Sequence, residues 1–473
     1  SIHMPLNIPF DNTYARLPPQ FFTRQVATPV SAPRLIVWND ALAGELGVSG
    51  GDAVEKAAVF GGNALPDGAA PLAQVYAGHQ FGGFSPQLGD GRALLLGEVV
   101  NRSGQRRDIQ LKGSGPTPYS RRGDGRSWLG PVLREYILSE FMHAAGIAST
   151  RALAAVATGD TVYRDRPLPG GVMARVADSH IRVGSFQYFA ARQDYDAVRR
   201  LYEYTRARHY PDAGSPLEML QQVIARQARL VASWGALGFI HGVMNTDNTS
   251  LSGETIDYGP AAFMDVYHPQ TVYSSIDRQG RYAYDNQSQI IVWNMAQLAS
   301  CLVVLEDDAE GALAPYTAAV HAMPELIAAE WRRAFGRKIG LADAGADDAA
   351  LITDLLDRMT AGRADFTNTF AAMADGKPRD QFSDPALFDA WEGAWRQRLQ
   401  AEPEPQAVMR AANPLMIPRN HLVEQVIVAA VNGDEAPFHA LLAAALHPYD
   451  TPPEAFTRPP EPHEEVEATF CGT

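Results

Sequence analysis

The apolar positions of this chain change their period near Gly184. Before it, short apolar runs sit between glycine turns, the pattern of strands; after it they recur every three to four residues, the pattern of helices. In LGDGRALLLGEVV a glycine turn leads into a strand, NRSGQRR turns the chain, and DIQLKGSG gives a second strand ending in glycines. Together these predict a β-hairpin. WLGPVLREYILSEFMHAAG places Leu129, Val132, Leu133, Tyr136, Ile137 and Phe141 at helical spacing, with Gly146 as the stop. RALAAVATGDTVYRD and GVMARVADSHIRVG read as two strands about a turn, and a helix over 38–46 is ended by Gly47 within a mixed stretch over 4–86. Further on, SPLEMLQQVIARQARLVASWGAL and NQSQIIVWNMAQLASCLVVL predict long helices. Residues 342–359 read as a surface helix, AEPEPQ as a linker, and the Pro- and Glu-rich 451–473 as an extended, mobile tail. The pattern therefore predicts an α+β protein with a strand-bearing first part, a helical second part and a cleft at their junction.

The totals narrow the class. With 473 residues, 46% of them hydrophobic, the chain can bury a large core and is too long for one typical compact unit. A net charge of −14 argues against a non-specific nucleic-acid surface. Two cysteines, Cys301 and Cys471, make no disulfide framework and point to a reducing, cytoplasmic compartment. No signal peptide is expected, and Ser1-Ile2-His3 ahead of Met4 reads as a cloning remnant. No apolar run approaches the roughly 20 residues of a membrane helix, so MAQLASCLVVL is expected in the core, with no membrane partner.

Charged and glycine-rich clusters carry the chemistry. Lys112 ends the strand DIQLK, and the helix that follows offers Glu135 or Glu140 as a partner. A strand lysine held by a helix glutamate positions nucleotide phosphates in kinase-like folds. Gly89, Gly91 and Arg92 form one glycine turn; Gly123, Asp124 and Gly125 form another, flanked by Arg121, Arg122 and Arg126. Backbone N–H groups at such glycines approach phosphate closely, and arginine forks grip it. Arg175 and Arg182 add two cations on the strands beyond. The stretch HGVMNTDNTSLSGETIDYG then packs oxygen donors directly after an apolar helix. Asn248 and Asp257 suit Mg²⁺, which takes few protein ligands and keeps phosphates and water. Asp247 suits a proton acceptor for a hydroxyl. Cys301 reads as core and Cys471 as a possible redox thiol, and HEEVE lacks the second histidine of a zincin.

YAGHQFGGFSPQLGDGRALLLGE, IQLKGSGPTPYSRRGDGRSWLGPVLREYI, HGVMNTDNTS, IDYGPAAFMD and NPLMIPRNHLVE resemble bacterial members of the selenoprotein O family, kinase-like proteins that act as protein adenylyltransferases. The resemblance implies a two-lobed protein-kinase-like fold. It implies an extension over 1–75, a strand-bearing N-lobe over 76–184, a helical C-lobe over 185–450 and an acidic tail over 451–473. Lys112 and Glu135 would play the lysine and glutamate roles. Gly89, Gly91, Arg92, Asp124, Gly125, Arg175, Arg182 and Asp257 would line the nucleotide site, Asn248 and Asp257 would hold Mg²⁺ or Mn²⁺, and Asp247 would accept the proton. ATP would lie reversed relative to ordinary kinases, so that AMP moves to Ser, Thr or Tyr hydroxyls of target proteins and pyrophosphate leaves. That accounts for Val243 in the slot where many phosphotransferases carry their aspartate. Cys471-Gly-Thr resembles the family's redox end, although Cys301 offers no accessible disulfide partner. The resemblance is also compatible with a monomer. The rival reading is a catalytically inactive ATP-binding scaffold.

Overall fold

The structure, a computed structural model, describes residues 4–470; Ser1–His3 and Cys471, with the readings attached to them, lie outside the described residues. Strands β1 (Phe22–Arg24), β2 (Arg34–Trp38), β3 (Leu72–Gln80), β4 (Gly83–Gly89), β5 (Ala93–Val100), β6 (Arg106–Lys112), β7 (Ser127–Trp128), β8 (Arg151–Tyr163) and β9 (Pro167–Ala177) form one sheet. Its order is β1-β3-β5-β6-β9-β8-β2, with β4 on β3 and β7 on β9, and its strand pairs are antiparallel. The β5–β6 hairpin has the expected form, in a register that sets Ala93 opposite Lys112.

Strand alternation decides what each face carries. Ile109, Leu111, Ala174 and Val176 point to one face, where they pack with Leu42 and Leu46 of the helix Asp40–Leu46 and Phe60 of the helix Ala53–Phe60. Gln110, Lys112, Met173 and Arg175 therefore share the other face. The pairs Gln110–Arg175 and Lys112–Met173 are direct cross-strand neighbours there. Met173 packs with Leu129, Val132 and Leu133 of the helix Leu129–Ala144, which covers this face. Each large apolar side chain buried in these layers contributes about 1.5–3 kcal/mol.

The residues before 76 form more than an extension laid on the surface: β1 and β2 are strands of the sheet itself. Trp38, expected to start a helix, ends β2, and the helix begins at Asp40 with Asn39 as its cap. The expected linker AEPEPQ is a short connection over 401–404 after the helix Ala386–Leu399, and its last two residues start the helix Pro405–Ala412. The tail is packed down. Arg458 and Gln425 hold Glu464, and Thr469 is buried, its N–H donating to Tyr273 O at 2.6 Å. One helical stretch, Tyr284–Leu305, is long and apolar enough to cross a membrane by length and composition, with a mean hydropathy of 1.6. This corrects the expectation that no such run exists. Its Ile290, Ile291, Met295, Leu298 and Leu302 are buried in the main core beside Val223, Ile224 and Val231. Cys301 is buried on this helix, and burial pushes its thiol up to about 12.

Candidate active site

The helix Pro216–Leu237 leads into the loop that carries Asp247, Asn248 and Asp257. Ser215 caps its start by accepting from Glu218 N at 3.1 Å, and Gly238 ends it in a left-handed turn at φ 76°. A two-residue strand β10 (Phe239–Ile240) then pairs with β11 (Ala262–Phe263), and these brackets fix the ends of the loop between them. Inside the loop, His241 Nε2 donates to Ile256 O at 2.6 Å and its Nδ1 accepts from Val243 N at 3.3 Å. One buried, neutral imidazole thus ties the two arms together; burial lowers its pKa.

A cleft of about 750 Å³ lies between the sheet and this loop. Gly89, Gly91, Arg92, Lys112, Asp124, Gly125, Arg175, Arg182, Asn248 and Asp257 all line it. Ten residues from seven separate chain segments thus converge on one hollow. At its floor sits Asp257, with φ 63°, a left-handed conformation that aspartate tolerates better than most residues. Arg175 NH1 reaches Asp257 Oδ1 at 2.7 Å, Lys112 Nζ reaches the same oxygen at 3.6 Å, and Arg182 NH1 reaches Oδ2 at 2.6 Å. Burial pushes the Asp257 carboxyl up, but Arg182, Arg175 and Lys112 together outweigh it and hold it well below the usual range. Asp257 is therefore ionised throughout the physiological range.

Glu135, on the helix behind Lys112, settles the choice that helix phase left open. Its Oε1 meets Lys112 Nζ at 3.3 Å and Arg175 NH1 at 3.5 Å, and accepts from Tyr258 N at 3.1 Å. Glu140 is committed elsewhere, to Arg151 at 2.8 Å and to Asn39. Burial raises the Glu135 carboxyl, and Lys112 and Arg175 more than reverse that, so it stays charged.

Asp247 lies behind the cleft wall, 7% exposed, in the short turn Thr246–Asn248. Arg182 NH1 donates to its backbone oxygen at 2.6 Å, and its Oδ1 is buried without a hydrogen-bond partner. Burial pushes its carboxyl up to about 6, with Arg182 opposing. Asn248 Nδ2 donates to Val243 O at 3.0 Å, which leaves the amide oxygen as the group it can offer the cleft it lines.

Sequence reasoning passed over Gly78 on β3, whose backbone packs directly on Asp247. A Cβ there would lie 2.8 Å from both Cβ and Cγ of Asp247, and closer still to Oδ1. The signal was a glycine inside a strand run, which marks a close approach. Gly78→Ala is expected to displace the aspartate and cut turnover by at least tenfold while the nucleotide KM changes little; steady-state kinetics on the purified variant will check this. Tyr76, Asp90, Tyr119 and Arg164 also line the cleft. Arg182 lies over the Tyr76 ring at 4.8 Å, and Arg164 NH1 holds Asp124 at 2.9 Å. Burial raises Asp90 to about 6, with Arg182 opposing.

A hollow floored by one ionised carboxylate and three cations, with a buried acid behind them, is chemistry that suits a phosphate-bearing substrate. The family model described as protein adenylyltransferase SelO matches residues 5–445. The chain is 61% identical over 472 residues to the protein nucleotidyltransferase YdiU of Ruegeria sp. (strain TM1040), covering 99% of this chain and 100% of the relative. It is 60% identical over 470 residues to the YdiU of Roseobacter denitrificans and 54% identical over 491 to that of Bradyrhizobium diazoefficiens, with the same coverage. The chain belongs to the SelO family of protein adenylyltransferases. Its class is that of a nucleotidyltransferase with ATP as donor and protein as acceptor, which speaks for the enzyme over the inactive scaffold.

Proposed function

We propose that this enzyme transfers AMP from ATP to Ser, Thr or Tyr hydroxyls of target proteins, with Mg²⁺ or Mn²⁺ bound, and releases pyrophosphate. The observation that carries the reading is the Asp257 cluster, in which three cations converge on one carboxylate beside Asn248. The sheet over the helix Leu129–Ala144, followed by helices, supports a two-lobed, kinase-like layout with lobes near 76–184 and 185–450 and the cleft between them. A cytoplasmic monomer acting without nucleic acid or membrane completes the reading.

The residues fit a divalent cation. Asn248 and Asp257 offer one neutral and one ionised oxygen to the same cleft, the small protein share that Mg²⁺ takes. A cation held there would neutralise phosphate charge. The chain's own groups do the rest. Lys112, Arg175 and Arg182 orient the triphosphate, and Glu135 keeps Lys112 and Arg175 in place. The glycines at 89, 91 and 125 let the backbone approach the nucleotide, with Arg92 and Asp124 on the same rim. ATP lies with its terminal phosphates inward, so the α-phosphorus faces the acceptor. Asp247 takes the hydroxyl proton as the acceptor oxygen bonds to the α-phosphorus and the bond to the pyrophosphate oxygen breaks. Val243 leaves the ordinary base position apolar.

ATP labelled at the α-phosphate is expected to mark protein, and ATP labelled at the γ-phosphate is not. Transfer of the γ label alone would establish an ordinary kinase in place of an adenylyltransferase.

A further inference from the structure

A second cavity, of about 640 Å³, opens at the other end of β6 and shares no lining residue with the cleft. Along the strand from Arg107 to Lys112 the separation is roughly 17 Å. Four arginines line it, Arg106, Arg107, Arg208 and Arg226, in a protein whose net charge is −14. They come from the start of β6, from the last turn of the helix Tyr195–His209 and from the middle of the helix Pro216–Leu237.

An internal ion-pair network accounts for three of them. Arg106 pairs with Asp11 at 3.0 Å and Glu98 at 3.2 Å, Arg107 with Asp178 at 2.8 Å, and Arg208 with Asp108 at 2.7 Å. It does not account for Arg226. Among the described residues no carboxylate lies within ion-pair distance of this guanidinium. It donates to Ser252 O at 3.3 Å and His209 O at 3.0 Å and lies over the Tyr210 ring at 4.3 Å. Carbonyls and a ring orient a cation and leave its charge uncompensated. Arg208 Nε is also buried without an acceptor. Asp178 is the one carboxylate among the lining residues, and Arg107 already holds it. Glu254, which accepts from Asp178 N at 2.9 Å, is raised by burial and adds little negative charge nearby.

An arginine fork without an acid, in a hollow of ligand size, suits a phosphate oxygen face better than any neutral group. We propose that this cavity binds a phosphate-bearing small anion, gripped chiefly by Arg226, with Arg107 beside it as a second cation shared with Asp178. Three sources share that chemistry: the pyrophosphate released at the cleft, a nucleoside monophosphate and inorganic phosphate. The cavity is wired to the active site by chain continuity. Asp108 accepts from His180 N at 3.1 Å and from Arg208, and the segment from Asp178 leads directly to Arg182, which holds Asp257.

Calorimetric titration of the full-length protein, its cleft saturated with a non-hydrolysable ATP analogue, tests this with pyrophosphate, AMP and inorganic phosphate in turn. At least one is expected to bind at a single site, more weakly as ionic strength rises. Arg226→Gln or Arg107→Gln should weaken that binding at least tenfold with basal AMP transfer unchanged. Loss in either folded variant supports the site, and the preferred anion names the source. If none of the three binds at millimolar concentration, or both variants bind as tightly as the parent, the proposal is overturned. Should Arg226→Gln fail to fold, Arg107→Gln decides.

Discussion

Asp257→Ala is expected to bring AMP transfer down by at least about 10²-fold, on the scale of losing one preorganised charge-stabilising group, and to lower the melting temperature as well. Both effects follow from the charges around one carboxylate. Asp257 is the common partner of Lys112, Arg175 and Arg182. Without it the three cations face one another with only Glu135 between two of them. Breaking a buried pair by removing one partner costs about 3–5 kcal/mol. The Asp257 side chain is 20% exposed, so the lower end of that range applies. Its folded pKa is depressed, so its stabilisation is complete above the unfolded value near 3.8 and is lost only as pH falls through the lower folded value. The melting difference between wild type and variant should therefore be constant from pH 6 to 8. Asp257→Asn separates the two effects, since it keeps the shape, recovers part of the packing and stays as inactive as alanine. Differential scanning calorimetry and transfer of labelled AMP on both variants give the answer. Wild-type transfer by either would remove Asp257 from the reaction.

How much of this could be read beforehand depends on how local each feature is. The β5–β6 hairpin, the helix behind Lys112 and the strands β8 and β9 were legible because turn glycines and periodicity sit within a few residues of each other. Strands β1 to β4 were not. β1 pairs with β3 across some fifty residues, and β2 pairs with β8 across more than a hundred. No window of sequence contains both sides of such a pair. The site behaved likewise. Residue types and spacing nominated the ten cleft residues, because glycines, arginines and the Asn-Asp set are unusual in an acidic chain. The choice of Glu135 over Glu140 needed the strand that each helix face meets, and Arg151 and Asn39 claim Glu140. The burial of Asp247 under Gly78 depends on two segments 169 positions apart. Helix Tyr284–Leu305 shows the limit of composition, since mean hydropathy reports an apolar helix and not what surrounds it.

Asp247→Asn is expected to move activity and stability in opposite directions. The loss in turnover should be roughly 10²- to 10⁴-fold, the usual contribution of a positioned base, with ATP binding retained because Asp247 lies behind the residues that line the cleft. Stability at neutral pH should rise. Burial is the first cause of the raised pKa: the carboxylate has been taken out of water with one oxygen unpaired. An acid whose folded pKa lies above its unfolded value favours folding when protonated. That contribution is complete below about 3.8 and lost as pH rises through about 6. At pH 7.5 the ionised group is thus a net cost, on the order of 3 kcal/mol, and the neutral amide removes it. The same pKa gives the wild-type rate an acid limb: transfer should fall about tenfold per pH unit below 6, and the residual rate of Asp247→Asn should show no such limb. Melting curves are expected to agree below about pH 3.8, to differ at pH 5 by about half the full gap and to differ fully at pH 7.5, with the asparagine variant the more stable. A wild-type rate independent of pH between 5 and 7, or an asparagine variant less stable at pH 7.5, would show that Asp247 is not the base.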